Sequence, residues 1–154
     1  MGNLESTIYF RLNWSNNPRL LFGCLFVEKV NAPVCDTLMG KGAFDGTDDL
    51  YTGMLGMHGN VGPNRKTNEC DVLIAIGMRF DDRVTGDLKT YAKQAKIIHL
   101  DIDNSEIGKN VPVDVKELGN AKHTIPMITE LLGERKRPEW NAEFDRDEKE
   151  EYDK

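Results

Sequence analysis

The sequence predicts a doubly wound, Rossmann-like α/β domain: a mostly parallel sheet with helices on both faces. Three observations lead there. Segments with strand character alternate with segments of helical period, which calls for a parallel sheet covered on two sides. The apolar run Val72-Leu73-Ile74-Ala75-Ile76 shows no polar alternation, as a strand buried on both faces requires. Directly after it comes Gly77-Met78-Arg79-Phe80-Asp81-Asp82-Arg83-Val84-Thr85-Gly86, a loop at the carboxyl end of a strand, where open α/β sheets bind nucleotides.

Along the chain, Met1 to Trp14 shows no clear period. Asn17 before Pro18 reads as an N-cap followed by an N1 proline, opening a helix that runs to about Val30 through Leu21, Cys24 and Leu25. Ala32-Pro33-Val34-Cys35 is a short strand entering Asp36-Thr37-Leu38-Met39. Gly40 to Asp49 holds three glycines and no period, so it is a long loop, and such loops are functional or disordered. Asn60 to Cys70 is a helix with Pro63 near its start, and Asp71 to Ile76 is the buried strand. Asp87 to Gln94 is a short helix with Leu88 and Tyr91 on one face. Lys96 to Ile102 is a second core strand. Val111 to Val115 is a third, placed at an edge by Pro112. Asn120 to Leu132 has a helical pattern in which Pro126 imposes a kink or a late start, and Gly133 is its C′ glycine.

Composition narrows the function classes. The chain has 154 residues, enough for one domain with a real core. A net charge of -6 argues against nucleic acid as a general partner, and no run of eighteen apolar residues exists to cross a membrane. The N-terminus lacks the pattern of a secretory signal. Cys24, Cys35 and Cys70 are an odd number at long spacings, which suits buried thiols in a reducing cytoplasm better than disulfides or zinc. Of the last twenty-one residues fifteen are charged, and they hold half the net charge, so 134–154 reads as a charged tail or a linker to a further domain.

Several loops carry candidate chemistry. Gly53, Gly56, Gly59 and Gly62 recur every three residues ahead of a helix; they suit a phosphate-cradling loop or a plain turn. His58 within that loop is either a hydrogen-bonded structural group or a flat ring free to stack. His99 lies inside an apolar strand and reads as core; His123 reads as surface. Arg79, Asp81, Asp82 and Arg83 form either a solvated charge run or an anion site, since arginine matches phosphate and carboxylate best. Asp101-Ile102-Asp103 ends a strand where an acidic residue commonly accepts from ribose hydroxyls; two aspartates could also begin a metal site, but no third ligand is spaced to complete it.

At these residues the chain resembles the central domain of the catalytic large subunit of acetolactate synthase (acetohydroxyacid synthase). The matching text is Pro33-Val34 with Thr37 to Gly42, Gly53-Met54-Leu55-Gly56-Met57-His58-Gly59, Arg79 to Gly86, and His99 to Asp103 with Glu106 to Asn110. The likeness runs from about Phe26 to Leu132. It implies an enzyme that joins two 2-keto acids, pyruvate with pyruvate or 2-ketobutyrate, with loss of carbon dioxide in branched-chain amino-acid synthesis. It implies thiamine diphosphate, Mg2+ and FAD, the last not required for net redox chemistry. It also implies homodimers or tetramers with a regulatory small subunit.

Carried across by motif, the FAD contacts are Thr37, Leu38, Met39, Leu55, Gly56, Met57, His58, Gly77, Arg79, Arg83, Asp101, Ile102, Asn120 and Ala121. Met57, Asp82 and Arg83 face the substrate channel. The resemblance divides the chain into an unmatched segment 1–20, a central domain 21–133 and the charged segment 134–154. Family members also have a thiamine-binding domain on each side, one with the catalytic glutamate and one with a Gly-Asp-Gly metal loop; neither text occurs here, so no catalytic residue and no metal ligand is assigned. The Gly-Gly-Gly strand end that opens the family's domain is absent, and Val61 to Thr67 replaces a segment usually richer in alanine and aromatics. The expected function is that of a synthase fragment supplying the FAD-binding domain. The alternatives are a stand-alone nucleotide-binding module without catalysis, or the central domain of another thiamine-dependent carboligase.

Overall fold

A computed structural model describes residues 6–10 and 20–153, with side chains from 23 onward. Among the described residues six parallel strands form one sheet: β1 (Ser6–Phe10), β2 (Val34–Asp36), β3 (Tyr51–Met54), β4 (Val72–Ile76), β5 (Lys96–Asp101) and β6 (Val115–Leu118). Their spatial order is β3-β2-β1-β4-β5-β6, the doubly wound order, whose crevice opens where the winding reverses between β1 and β4. The helices are α1 (Leu20–Val30), α2 (Val61–Thr67), the single turn α3 (Asp82–Thr85), α4 (Ala121–Leu131) and α5 (Pro138–Tyr152).

The pleat sends alternate residues to opposite faces. From β2 and β4, Val34 and Ile76 join Phe26, Val27, Val30, Ala121 and Ile125 under α1 and α4. Cys35, Leu73 and Ala75 go the other way, into a cluster with Cys70, Met78, Phe80, Tyr91, Ile97, Trp140 and Phe144. Helices α1 and α4 pack together on one face and α2 and α5 on the other, so the double winding expected from the sequence is present. Both faces of β4 are covered, which is why its five residues show no polar alternation.

Several boundaries differ from the sequence expectation. The patternless N-terminal stretch contains β1, which pairs with both β2 and β4 at the centre of the sheet. The glycine-rich loop begins inside β3, where Gly53 has φ +100 and the register with β2 shifts. A side chain at Gly53 would collide with Asn60, so only glycine fits this bulge. The edge strand expected at Val111 to Val115 starts at Val115, leaving Pro112 in the preceding loop where its missing N–H costs no ladder bond. Asp87 to Gln94 forms turns rather than a helix, and Ala92 at φ 45 breaks the helical path. Conversely, the charged run after β4 includes the helical turn α3.

Helix α4 keeps Pro126 inside it, and Asn120 caps its N-terminus by accepting from the Lys122 N–H at 3.0 Å. It ends on extended Leu132, so Gly133 is not a left-handed C′ residue. Asn31, at φ 51, takes that role after α1 and donates its N–H to Val27 at 2.7 Å. The proposed cap Asn17 and Pro18 lie outside the described residues. Within 134–154, Trp140, Phe144 and Asp147 form a buried stripe on α5. Among the described residues there is no disulfide and no helix long and apolar enough to cross a membrane. Cys35 and Cys70 are buried thiols, whereas Cys24 is half-buried rather than buried.

Candidate functional site

At the carboxyl ends of β2, β3 and β4 lies a cleft of about 350 Å³. Its walls are Thr37, Leu38 and Met39 after β2; Met54, Leu55, Met57 and His58 at and after β3; and Met78, Arg79, Phe80, Asp81, Arg83 and Val84 after β4. Eight of the fourteen residues carried across for FAD therefore line one concavity.

Two loops meet there because each closes on the other's backbone. The Met57 N–H donates to the Arg83 carbonyl at 2.8 Å, and the Leu55 N–H to the Asp36 carbonyl at 2.8 Å. Asn64 on α2 fixes the glycine loop from below: its Oδ1 accepts from the Gly56 N–H and its Nδ2 donates to the Gly56 carbonyl, both at 3.0 Å. Gly56 has φ +109, and a Cβ there would stand 2.8 Å from the Arg83 carbonyl oxygen. The glycine lets the two loops touch; nothing taller would.

The lining is apolar with a charged rim. Leu38, Met39 and Met57 are 67%, 64% and 62% exposed, an unusual display for large apolar side chains on one small area. Arg83 Nη1 lies 3.8 Å from Met57 Sδ, and Arg79 Nη2 is 3.9 Å from Asp81 Oδ2. Two buried oxygens of the lining, Thr37 Oγ1 and Asp81 Oδ1, have no hydrogen-bond partner among the described residues. Orphaned buried acceptors cost free energy unless something meets them.

Behind the lining, Phe80 is buried with φ 52 and stands edge-on to His99, centroids 5.1 Å apart. His99 is fully buried, as the sequence suggests, but among the described residues neither ring nitrogen has a well-formed hydrogen bond. Burial pushes its pKa down, against the pull of Asp101, whose Oδ2 is 4.0 Å away. Asp36, before Thr37, is 1% exposed; burial raises its pKa, and the nearby Lys41 and Tyr51 pull it back only in part.

The other predicted residues lie elsewhere along the same sheet edge. Gly77 directly follows β4 with φ 65 and donates its N–H to the Leu100 carbonyl at 2.8 Å. Gly56 is buried in the loop contact rather than at the cleft wall. Asp101 ends β5 and accepts from the Asp103 N–H at 2.9 Å; Ile102 beside it is exposed. Asn120 and Ala121 begin α4, outside the cleft. Asp82 is exposed at the start of α3 and does not line the cleft, whereas Met57 and Arg83 do. The lining residues that sequence reasoning had not assigned to it are Met54, Met78, Phe80, Asp81 and Val84. For Asp81 the signal was present, since it sits in the charged run after a buried strand.

A second concavity, of about 260 Å³, lies between β3, α2 and α5 and is strongly acidic, with Asp48, Asp49, Asp145, Glu148 and Glu151 in its wall. Among the described residues no group of three or more His, Cys, Asp or Glu is placed to hold a metal ion.

Comparison with known proteins identifies the family of this domain. Residues 25–128 match the model of the thiamine pyrophosphate enzyme central domain. The chain is 57% identical over 98 residues to the probable acetolactate synthase large subunit of Methanocaldococcus jannaschii, covering 64% of this chain and 17% of that protein. It is 47% identical over 109 residues to the acetolactate synthase large subunit of Haemophilus influenzae, covering 71% and 19%. It is 48% identical over 107 residues to the chloroplastic acetolactate synthase 2 of Nicotiana tabacum, covering 70% and 16%. The chain thus matches less than a fifth of the length of each of these three relatives.

Proposed function

Because the chain belongs to the thiamine pyrophosphate enzyme central-domain family, we propose that it serves as the FAD-binding central domain of an acetolactate-synthase-type large subunit, with the cleft as its flavin site. The reaction of the whole enzyme is the decarboxylating union of two 2-keto acids, with FAD bound but not consumed in net redox chemistry. Thiamine diphosphate and Mg2+, held by other domains, supply the carbon–carbon bond chemistry. Assembly as homodimers or tetramers with a regulatory small subunit, in a reducing cytoplasm, completes the reading.

One observation supports it above the rest: exposed methionine and leucine side chains, two guanidinium groups and two orphaned oxygens share one cleft. The apolar Leu38, Met39 and Met57 suit a flat ring system. Thr37 Oγ1 and Asp81 Oδ1 lack partners among the described residues, which suits a ligand rich in hydroxyl and N–H groups. Arg79 and Arg83 suit a phosphate or carboxylate. The residues present therefore fit such a cofactor. Arg83 binds anions, orients them through its planar fork, and shares its backbone with the Met57 loop, so ligand contact on one loop is felt by the other.

The test is titration of FAD into the purified chain, followed by flavin fluorescence. Saturable quenching is expected, weaker than in a full-length relative because the family's glycine-rich strand end is missing. No quenching at about 1 mM FAD, a ceiling that corresponds to roughly 4 kcal/mol of binding, would overturn the reading.

A further inference from the structure

The turn after β4 contains a costly backbone: Phe80 is buried, bears a side chain and holds φ 52. Such a conformation persists only where the surroundings over-determine it. The ring is packed edge-on by His99 and Tyr91, at 5.1 and 6.0 Å between centroids. Those contacts hold the side chain; they do not set the planes of the peptides on either side. The carbonyls of those peptides, Arg79 and Phe80, both accept from Asn110 Nδ2, each at 3.1 Å. Asn110 arrives from the loop between β5 and β6 and is itself exposed. A side-chain amide nitrogen has two hydrogens, so both bonds coexist. Since both partners are acceptors, only the nitrogen end of the amide can face them.

We propose that Asn110 is a positioning residue: it clamps the Arg79 and Phe80 carbonyls, sets the left-handed kink at Phe80, and thereby aims Arg79, Asp81 and Arg83 into the cleft. The clamp stands on geometry alone, while its effect on ligand binding rests on the flavin reading above. Asn110→Asp would set a carboxylate oxygen against two carbonyl oxygens, and Asn110→Ala would leave the carbonyls to water.

The experiment is amide hydrogen exchange on the full chain with Asn110→Ala and Asn110→Asp, beside FAD titration. The reporters are the Val84, Thr85 and Gly86 amides, which bond to the Asp81 and Asp82 carbonyls, and the Met57 amide, which bonds to Arg83. Both variants are expected to lose protection at these four sites by about tenfold or more, with β4 and β5 amides unchanged. Flavin affinity should fall by about tenfold. In Asn110→Asp, protection relative to the intrinsic rate should return in part as the pH is lowered through about 4, where the neutral carboxyl regains one donor for two carbonyls; in Asn110→Ala it should not. Unchanged protection in the turn would overturn the clamp. Lost protection with undiminished flavin affinity would overturn the aiming role. Failure of the unaltered chain to bind flavin would overturn the cleft reading instead, and the exchange data would still decide the clamp.

Discussion

Arg83 and Gly56 meet across one contact and have opposite duties. Arg83 supplies a charged head to the cleft, and its Nη1 rests on Met57 Sδ. A merely solvated charge would matter little: Arg83→Ala would then shift stability by a few tenths of a kcal/mol, within roughly 0.5 kcal/mol for a surface site. As a flavin contact, its loss should weaken FAD binding by about tenfold or more, since about 1.4 kcal/mol is one decade. Arg83→Lys should restore only part, because the ammonium lacks the fork. Lys93→Ala, outside the cleft lining, is the control; equal and negligible effects of the two alanine variants would refute the role. Gly56→Ala forces a Cβ against the Arg83 carbonyl in a left-handed backbone. It should cost about 1–3 kcal/mol, read as a lower urea midpoint at unchanged slope.

His99 gives a pH signature. Its folded pKa lies below the unfolded value of about 6.5, because burial outweighs the opposing pull of Asp101, the Met78 backbone and Glu106. Between the two values the unfolded chain binds the extra proton. The stability is therefore whole above about pH 6.5 and is lost as pH falls toward the folded pKa. Subtracting the pH profile of His99→Phe should isolate that slope; identical profiles would show that the imidazole does not titrate on unfolding. At this scale the sequence pointed to Arg79 through its chemistry and to Thr37 only through the family resemblance, and both line the cleft. It was opaque at Met54, Met78 and Val84, because ordinary core-type residues become lining only when three loops converge.

Helix α5 shows how composition can hide an element. Fifteen charged residues in the last twenty-one suggested a tail, yet Trp140, Phe144 and Asp147 follow at i, i+4 and i+7, the stripe of a packed helix. The acidic member of that stripe is tolerable because α2 meets it with cations: Arg65 pairs with Asp147, and Lys66 Nζ lies 2.6 Å from Glu69, 2.7 Å from Glu143 and 3.7 Å from Asp147. Lys66 also stands 5.5 Å from the centre of the Trp140 ring. Burial favours its neutral form most strongly, but the bonds to Glu143 and Glu69 together outweigh burial and raise its pKa. The pairing therefore stabilises below the unfolded pKa of about 10.4 and is lost as pH rises through the folded value.

Lys66→Met should destabilise by about 3 kcal/mol, the lower end for a broken buried pair, because Glu69 and Glu143 remain partly solvated. Trp140 fluorescence in a Trp14→Phe background, followed during urea unfolding, measures it; a loss under about 0.5 kcal/mol would mean that α5 is held by its apolar stripe alone. The same scale explains the displaced strands. β6 begins after Pro112 because a ladder needs donors, and β3 was masked by Gly53, whose positive φ suggests a loop while serving a bulge.

For the whole molecule, the doubly wound class was readable from β4, β5 and α4, each long and strongly patterned. The centre of the sheet was not, because β1 owes its place to pairing with β2 and β4 and not to any period of its own. The 154-residue polypeptide, given pyruvate, thiamine diphosphate, Mg2+ and FAD, is expected to yield no acetolactate, since it matches under a fifth of relatives such as the Haemophilus protein. Thiamine-dependent turnover in a colorimetric acetolactate assay would overturn the fragment reading.

The position of β1 has a kinetic consequence. Ser6 aligns with Val72, so a loop of roughly 65 residues must close before the middle of the sheet exists. The pair β2–β3 on one side and the trio β4–β5–β6 on the other share no strand-to-strand ladder except through it. During synthesis β1 can pair with β2 on one edge, but its other edge must wait until β4 has emerged. Such high contact order slows folding and leaves open edges exposed to other chains. The yield of native protein should therefore depend on how dilute and how cold the refolding mixture is, far more than on any group in the cleft.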